Sequence, residues 1–412
     1  MYKLLTFLGT TPYEEVYYTY RSITSRFPAR FVQISLLELL HDELKDGQVI
    51  LFLTEEAENK NWLNRNQNKN ANFLKGLRDS LEEFQSKFNI DLEVKRVRIP
   101  EGRSEEELWT IFEKMNEVID ENDRIILDIT HSFRSLPLLT LIVLNYAKFL
   151  KNVRVERVLY GAMEALGSPP EVQNMPLEKR NVPIFDLTPF TVLFDWTIAI
   201  ERFLETGNAE MIKDIGMNEL KPLLADTKGK RGGEIRHLIE SLDRFSRNVS
   251  TCRAPELQGN MRDISEGIPQ AEKDLELLKP FKPLFGKIQE EFSMNTADDV
   301  ILGLEISEWC LKKNLIQQGF TVLRETIVNY VITNFLNIND LKDRKTREKA
   351  ENMLRGNEIL PKEIRNLWYE LIEYRNDINH AGWTNNMHKA DKFKNKLQDF
   401  IQRFRNIIKT DF

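Results

Sequence analysis

The run QVILFLT, residues 48–54, has no polar residue between Val49 and Leu53. A strand that is apolar on both faces needs cover on both faces. A parallel sheet lying between two layers of helices supplies it. Strand-like and helix-like segments alternate around this run. KLLTFLGT is a short apolar stretch at residues 3–10, and RFVQIS precedes the apolar LLELLHDEL. FLKGLRDSLEEFQSKF has helical periodicity, and LEVKRVRI follows as a strand. SEEELWTIFEKMNEVI opens with Ser104 and Glu107 at capping-box spacing. RIILDIT, a buried helix over SLPLLTLIVLNYAKFL, and VERVLYGAME complete the series. This repetition predicts an α/β domain with a Rossmann-like parallel sheet over residues 1–165. Ligands bind such sheets beyond the carboxyl ends of the strands. The loops after Leu8 and after Asp128 are therefore the places for a site.

Past Gly167 the texture changes. GSPPEVQNMPLEKRNVP is rich in proline and reads as a connector, so residues 166–188 are expected to be a linker. From residue 189 nearly every segment has helical periodicity. An all-α C-terminal region is expected, with a helical connecting part at 189–290 and a closing helical domain at 291–412. No internal repeat or low-complexity tract interrupts it. A chain of 412 residues suits such a multidomain arrangement.

The formal net charge is -6, so bulk charge does not announce a nucleic-acid partner and any such contact must be local. The two cysteines, Cys252 and Cys310, form no C-x-x-C pair, which argues against a disulfide framework or a structural zinc site and fits a reducing cytoplasm. MYKLLTFLGTTPYEE lacks a long apolar run after a basic start and reads as a strand rather than a signal peptide. LPLLTLIVLNYAKFL is short for a membrane span and contains Asn145, Tyr146 and Lys148, so no membrane partner is expected.

Two strand-to-loop junctions carry candidate binding residues. In FLGTTPY, Gly9 permits a tight turn, Thr10 and Thr11 supply hydroxyls, and Tyr13 offers a ring for stacking or packing. In LDITHSFRSLP, a buried strand ends in Asp128, Thr130, His131, Ser132 and Arg134 just ahead of a helix. A helix N-terminus suits a phosphate, and Arg134 would add a charge-assisted contact. The plainer reading makes these turn and cap residues. No G-x-G-x-x-G and no Walker A motif follows the first strand.

The second cluster is EYRNDINHAG, residues 373–382, at the end of a helix. Asn376 and His380 share a helix face, as do Arg375 and Asn379. Gly382 suits the residue just past the cap, and a helix C-terminus favours a protonated histidine. A histidine for proton transfer, an arginine for a charged transition state and an asparagine to orient them suit phosphodiester cleavage without a metal. One histidine among amides is too few ligands for a metal site. The plainer reading leaves Arg375 and Asp377 solvated and makes His380 a helix cap.

FLGTTPY and DITHSFRSLP in an α/β domain, followed by RNDINHAG in a helical one, together resemble the CARF–HEPN ribonucleases of type III CRISPR systems. The resemblance covers essentially the whole chain, including FLTEEAENKNW and IQQGFTVLRETIV. It departs at Ser132, where related sequences tend to carry Gly. The resemblance implies a homodimer activated by cyclic oligoadenylate, with cyclic tetra-adenylate as the expected ring and hexa-adenylate as the alternative. It implies single-stranded RNA as substrate, Arg375 and His380 as the R-x4-H pair, and Asn376 as an assisting residue. Gly9, Thr10, Thr11, Tyr13, Thr130, His131, Ser132 and Arg134 are then the candidates for the ring. Some members also degrade their activator, a role the resemblance extends to Thr10, Thr11 and His131. A different class of function, a dimeric cyclic-nucleotide-sensing regulator without catalysis, has little use for the RNDINH cluster. A metabolic nucleotide enzyme would need a motif that is absent.

Overall fold

Strand β1 (Tyr2–Leu8) sends Leu4 and Leu8 into one core and Leu5 and Phe7 into another. That division follows from the two-residue period of a strand. The computed structural model describes residues 1–44, 46–63, 65–66, 73–131, 135–226, 232–274, 281–292, 298–356, 359–385 and 387–410. The chain separates into two units, Met1–Val192 and Leu193–Phe412.

In the first unit, β1 is followed by β2 (Tyr17–Tyr20), β3 (Ile23–Thr24), α1 (Val32–Leu39), α2 (His41–Leu44) and β4 (Gln48–Leu53). Next come α3 (Glu55–Ala57), a π-helical turn (Glu58–Trp62), the short pair β5 (Arg65–Asn66) and β6 (Phe73–Leu74), then α4 (Leu77–Phe88) and β7 (Glu93–Arg98). The unit continues through α5 (Glu105–Glu117), β8 (Arg124–Asp128), α6 (Leu136–Lys151), β9 (Arg154–Gly161), α7 (Pro169–Asn174) and β10 (Asn181–Asp186). Eight strands form one sheet in the order β3-β2-β10-β9-β8-β1-β4-β7. The run of strands from β9 to β7 is the expected core of the sheet. The pairs β9/β8, β8/β1, β1/β4 and β4/β7 are all parallel.

Both sheet faces are covered, as the unbroken apolar runs require. Leu4, Leu8, Val49, Leu51 and Leu53 pack with Leu36 and Leu37 of α1 and Leu77, Leu81 and Phe84 of α4. Leu5, Phe7, Ile50, Phe52, Ile125 and Leu127 pack with Ile111 and Met115 of α5 and Leu136, Val143 and Leu144 of α6. Ser104 accepts the Glu107 N–H and Glu107 reaches back to the Arg103 N–H, so the expected cap forms with its return bond shifted by one residue.

The Pro-rich stretch at 166–188 is not an open connector. It holds α7 and β10, and β10 pairs antiparallel with β9 and parallel with β2. Pro183 sits in β10, yet its carbonyl still accepts the Ala162 N–H at 2.9 Å. Proline removes only the donor, which a strand can spare at a single position.

The second unit is helical throughout its described residues, with α8 (Thr188–Thr206) leading into it. It continues with α9 (Glu210–Asp226), α10 (Gly233–Ser250), α11 (Ala254–Asp274), α12 (Lys282–Glu291) and α13 (Asp299–Lys312). The last four helices are α14 (Ile316–Phe335), α15 (Arg344–Gly356), α16 (Lys362–Asn379) and α17 (Ala390–Thr410). Phe320, Leu323, Ile327, Leu354, Trp368, Leu371, Phe400 and Phe404 form the core of α14–α17. Helix α16 buries Ile364, Leu367, Leu371 and Tyr374 along one stripe, and the next position on that stripe is Asp377. No described helix is long and apolar enough to cross a membrane.

Candidate functional sites

Strand β1 has β4 on one side and β8 on the other, so the strand order reverses between β1 and β8. A crevice opens at such a reversal beyond the carboxyl ends of the strands. It brings residues 9–13 beside residues 129–131.

The crevice is floored by a polar network inside otherwise apolar strands. Asp128 is fully buried. Its Oδ2 accepts the Thr6 hydroxyl at 2.6 Å, and its Oδ1 accepts the Thr130 hydroxyl at 2.6 Å and the Thr130 N–H at 3.0 Å. Gln33 Nε2 donates to Thr6 Oγ1 and to the Phe7 carbonyl, both at 2.9 Å. Thr130 Oγ1 also accepts the Gly161 N–H of β9 at 2.8 Å. Burial pushes the Asp128 carboxyl up, and the bonds from Thr130 and Thr6 hold it back.

Above this floor the first loop is fixed from several sides. Asn61 Nδ2 donates to the carbonyls of Gly9 (2.8 Å) and Thr11 (2.9 Å). Arg30 Nε donates to the Tyr13 carbonyl at 3.2 Å. The Tyr13 hydroxyl accepts the Gly9 N–H at 2.8 Å, and its ring lies 4.0 Å from the His131 ring at a 36° tilt. Gly9 is needed for close approach rather than for a left-handed turn. A Cβ there would sit 2.7 Å from the Tyr13 oxygen and 3.1 Å from the His131 carbonyl. Thr10 is half-buried and Thr11 is exposed, so both hydroxyl-bearing residues are at the surface of the crevice.

Among the described residues His131 Nε2 is buried without a hydrogen-bond partner. Burial pushes the imidazole down to about 3, so the ring is neutral at neutral pH. Buried polar atoms are nearly always paired, which makes this unpaired nitrogen a candidate contact for a ligand. Ser132 and Arg134 lie outside the described residues. Asn61 and Gln33 were not among the candidates. Asn61 lies within FLTEEAENKNW, but nothing in its local pattern says that it reaches back to Gly9.

In the second unit, α16 ends in a Schellman motif. The Gly382 N–H donates to the Asp377 carbonyl at 2.9 Å, and the Ala381 N–H donates to the Ile378 carbonyl at 3.0 Å. His380 is the cap, and the first left-handed residue after it is Ala381, with φ 53°. Gly382 follows one place later than expected, at φ 76°.

The Arg375 guanidinium is held by its neighbours. Its Nη1 donates to Asn376 Oδ1 at 3.4 Å. In the orientation that satisfies both groups, the Asn379 amide oxygen accepts from Arg375 Nε at 2.9 Å and from Nη2 at 3.0 Å. His380 is exposed and Arg375 and Asn376 are half-buried, so all three candidates meet solvent at the helix end.

Asp377 is not solvated. It is 3% exposed, and its Oδ2 accepts the His388 N–H at 2.7 Å and lies 3.0 Å from His388 Nδ1. The His388 ring stacks on Tyr374 at 3.9 Å. Gly382 and His388 are thus both tied to Asp377. His388 was not foreseen. The signal for it was a carboxylate on the buried stripe of α16, which obliges some partner to arrive. Cys252, in the turn between α10 and α11, is close enough for the Arg375 charge to act on its thiol. Burial raises that thiol, while Thr321 and Arg375 pull it back. Among the described residues no group of three or more His, Cys, Asp and Glu side chains is arranged to hold a metal ion.

Residues 3–164 match the family described as CRISPR system endoribonuclease Csx1, CARF domain. Residues 192–298 match the second domain of CRISPR-associated protein MJ1674. The first unit is thus similar to a CARF domain, and the part that follows is similar to a domain of a CRISPR-associated protein. CRISPR-associated protein MJ1674 of Methanocaldococcus jannaschii is 24% identical over 326 residues, which cover 76% of this chain and 46% of that protein. The chain therefore spans less than half of its relative's length. The two family matches end at residue 298, so the α16 cluster rests on its own geometry.

Proposed function

We propose that the chain is a type III CRISPR accessory endoribonuclease. It binds cyclic oligoadenylate between paired CARF units and cleaves single-stranded RNA with an R-x4-H site. The observation that carries this reading is the end of α16. There an arginine is oriented by Asn379 and Asn376, and an exposed histidine caps the helix one turn away.

In the reaction a ribose 2′-hydroxyl attacks the adjacent phosphate. The 2′-proton is removed, the bond from phosphorus to the 5′-oxygen breaks, and that oxygen takes up a proton. The products are a 2′,3′-cyclic phosphate and a 5′-hydroxyl. His380 serves the proton transfers, Arg375 stabilises the charged phosphorane, and Asn376 assists in orienting them. The site is completed by the same residues of a second chain, which concentrates positive charge locally in a protein of net charge -6. The same two-fold symmetry suits a cyclic activator lying across paired CARF crevices. CARF domains bind cyclic oligoadenylates, and the residue candidates here are Gly9, Thr10, Thr11, Tyr13, Thr130 and His131, with Ser132 and Arg134. Binding there shifts the pair toward the cleaving state, and by linkage RNA binding strengthens the hold on the ring.

The test is cleavage of a fluorescent single-stranded RNA in EDTA, with rings of three to six adenylates added in turn. Cleavage is expected only with a ring, most strongly the tetra-adenylate. His380→Ala should lower the rate about 10²–10⁴-fold while leaving ring binding intact. Full activity in that variant overturns the reading.

Degradation of the activator is the finer part of the proposal. The unpaired His131 Nε2 supports it, because a ring nitrogen with no partner in the fold can position a 2′-hydroxyl for in-line attack, together with Thr10 and Thr11. Linear products are expected when the His380→Ala protein is incubated with cyclic tetra-adenylate, and an intact ring after prolonged incubation sinks this part.

A further inference from the structure

Trp383 is 90% exposed, more than any other large apolar side chain among the described residues. It lies three residues beyond His380, on a loop that is held rather than loose. Its N–H donates to the His380 carbonyl at 2.9 Å, and the Thr384 N–H donates to the Gly382 carbonyl at 2.8 Å. Ala381 and Gly382 turn the chain through left-handed conformations, and Gly382 and His388 are both tied to Asp377. An indole displayed in this way gains nothing from burial in its own fold. It stands close along the chain to the arginine and histidine assigned to phosphate chemistry.

A cationic group for a phosphate beside a flat aromatic face for a base is the chemistry that recognises an unpaired nucleotide. Trp383 sits on a fixed loop, so a base stacking on it would meet a surface already in place rather than one that must first be ordered. We infer that Trp383 forms a base-stacking subsite for single-stranded RNA beside the scissile phosphate. This inference rests on the ribonuclease reading of Arg375 and His380. Stacking makes no demand on base identity, so the subsite favours unpaired RNA over duplex without requiring one sequence.

The test measures RNA affinity by fluorescence anisotropy with cyclic tetra-adenylate present, in His380→Ala protein so that the RNA stays intact. Adding Trp383→Ala should weaken binding about 5- to 150-fold, the range seen when one stacked base loses its platform. Trp383→Phe should retain most of the affinity. Exposure of Trp383 to solvent means that neither change threatens the fold. A second measurement scans one abasic nucleotide along the RNA. At one position the abasic site should weaken binding by the protein that keeps Trp383 and leave binding by the Trp383→Ala variant unchanged.

Equal affinities with and without the indole overturn the subsite. So does a loss that no abasic position reproduces. A shift of the Trp383→Ala chain to a smaller species on size exclusion also overturns it, by making the indole a contact between copies. Failure of the unsubstituted chain to cleave RNA with any ring overturns the ribonuclease reading itself. Normal cleavage with an unchanged Trp383→Ala affinity overturns the subsite alone.

Discussion

The CARF crevice and the end of α16 are both built over a buried aspartate, yet they treat it in opposite ways. Among the described residues Asp128 accepts only from two threonine hydroxyls and a backbone N–H, and burial pushes its carboxyl up. Asp377 accepts from the His388 N–H and faces the His388 ring. In the crevice most polar groups satisfy one another, while Gln33 Oε1 and His131 Nε2 have no partner among the described residues and two threonine-bearing loop positions stand at the surface. At the helix end the buried carboxylate anchors a loop, while Arg375 and His380 stay available to solvent. The difference suits the two proposed tasks. A neutral ring of hydroxyls and backbone groups discriminates a ligand by shape, whereas phosphoryl chemistry needs charge left over.

Asp377→Ala is the sharpest way to break the contrast. It leaves the His388 N–H and ring without their partner, at a cost of about 1–3 kcal/mol to the C-terminal unit. RNA cleavage should fall with it while ring binding is untouched, read by urea unfolding and by calorimetric titration of the ring. Loss of ring binding with cleavage preserved would reverse the assignment of tasks.

Gly9→Ala attacks the other side. The new methyl meets the Tyr13 oxygen and the His131 carbonyl, and overpacking of this kind costs about 1–3 kcal/mol. Part of that cost should appear as weaker ring binding, because the Tyr13 ring lies against the His131 ring. Calorimetry that finds the affinity unchanged would show that the crevice is not where the ring sits.

Ala381→Gly should stabilise the second unit by about 1 kcal/mol, since only glycine takes φ 53° without steric cost. Cleavage with a ring present should stay near the parent rate, because the backbone path past His380 is kept. A destabilised variant would mean that the Ala381 methyl makes a needed contact.

A pH slope tests the crevice from a further side. His131 is held at about 3 in the folded chain against 6.5 for the free side chain. Between those values the unfolded chain takes up a proton that the folded chain does not, so stability falls as pH falls below 6.5. His131→Gln removes that contribution. Hydrogen exchange of the β1 and β8 amides should therefore fall less steeply in protection for the variant on acidification, and parallel curves would show that the imidazole titrates normally in the fold.

The parallel core of the sheet was legible because continuous apolar runs leave a strand no alternative to cover on both faces. Helix α16 was legible because its apolar stripe has helical spacing up to Tyr374. The loops FLGTTPY and DITHSFRSLP could be placed together once β1 and β8 were both taken as strands pointing the same way. The proline-rich stretch misled because proline in a strand removes one donor and leaves the acceptor, so β10 pairs in spite of its composition.

What the amino-acid sequence determined by itself was local: periodicity, capping residues, the ends of strands and the polar crowding from Arg375 to His380. Only the tertiary structure decided that Asn61 holds Gly9, that Gln33 holds Thr6, that β10 joins the sheet and that His388 answers Asp377. Each of these joins residues distant in the chain, and a side chain's distant partner leaves no trace in local spacing. A buried polar group announces that it must be satisfied, and only the folded chain says by whom.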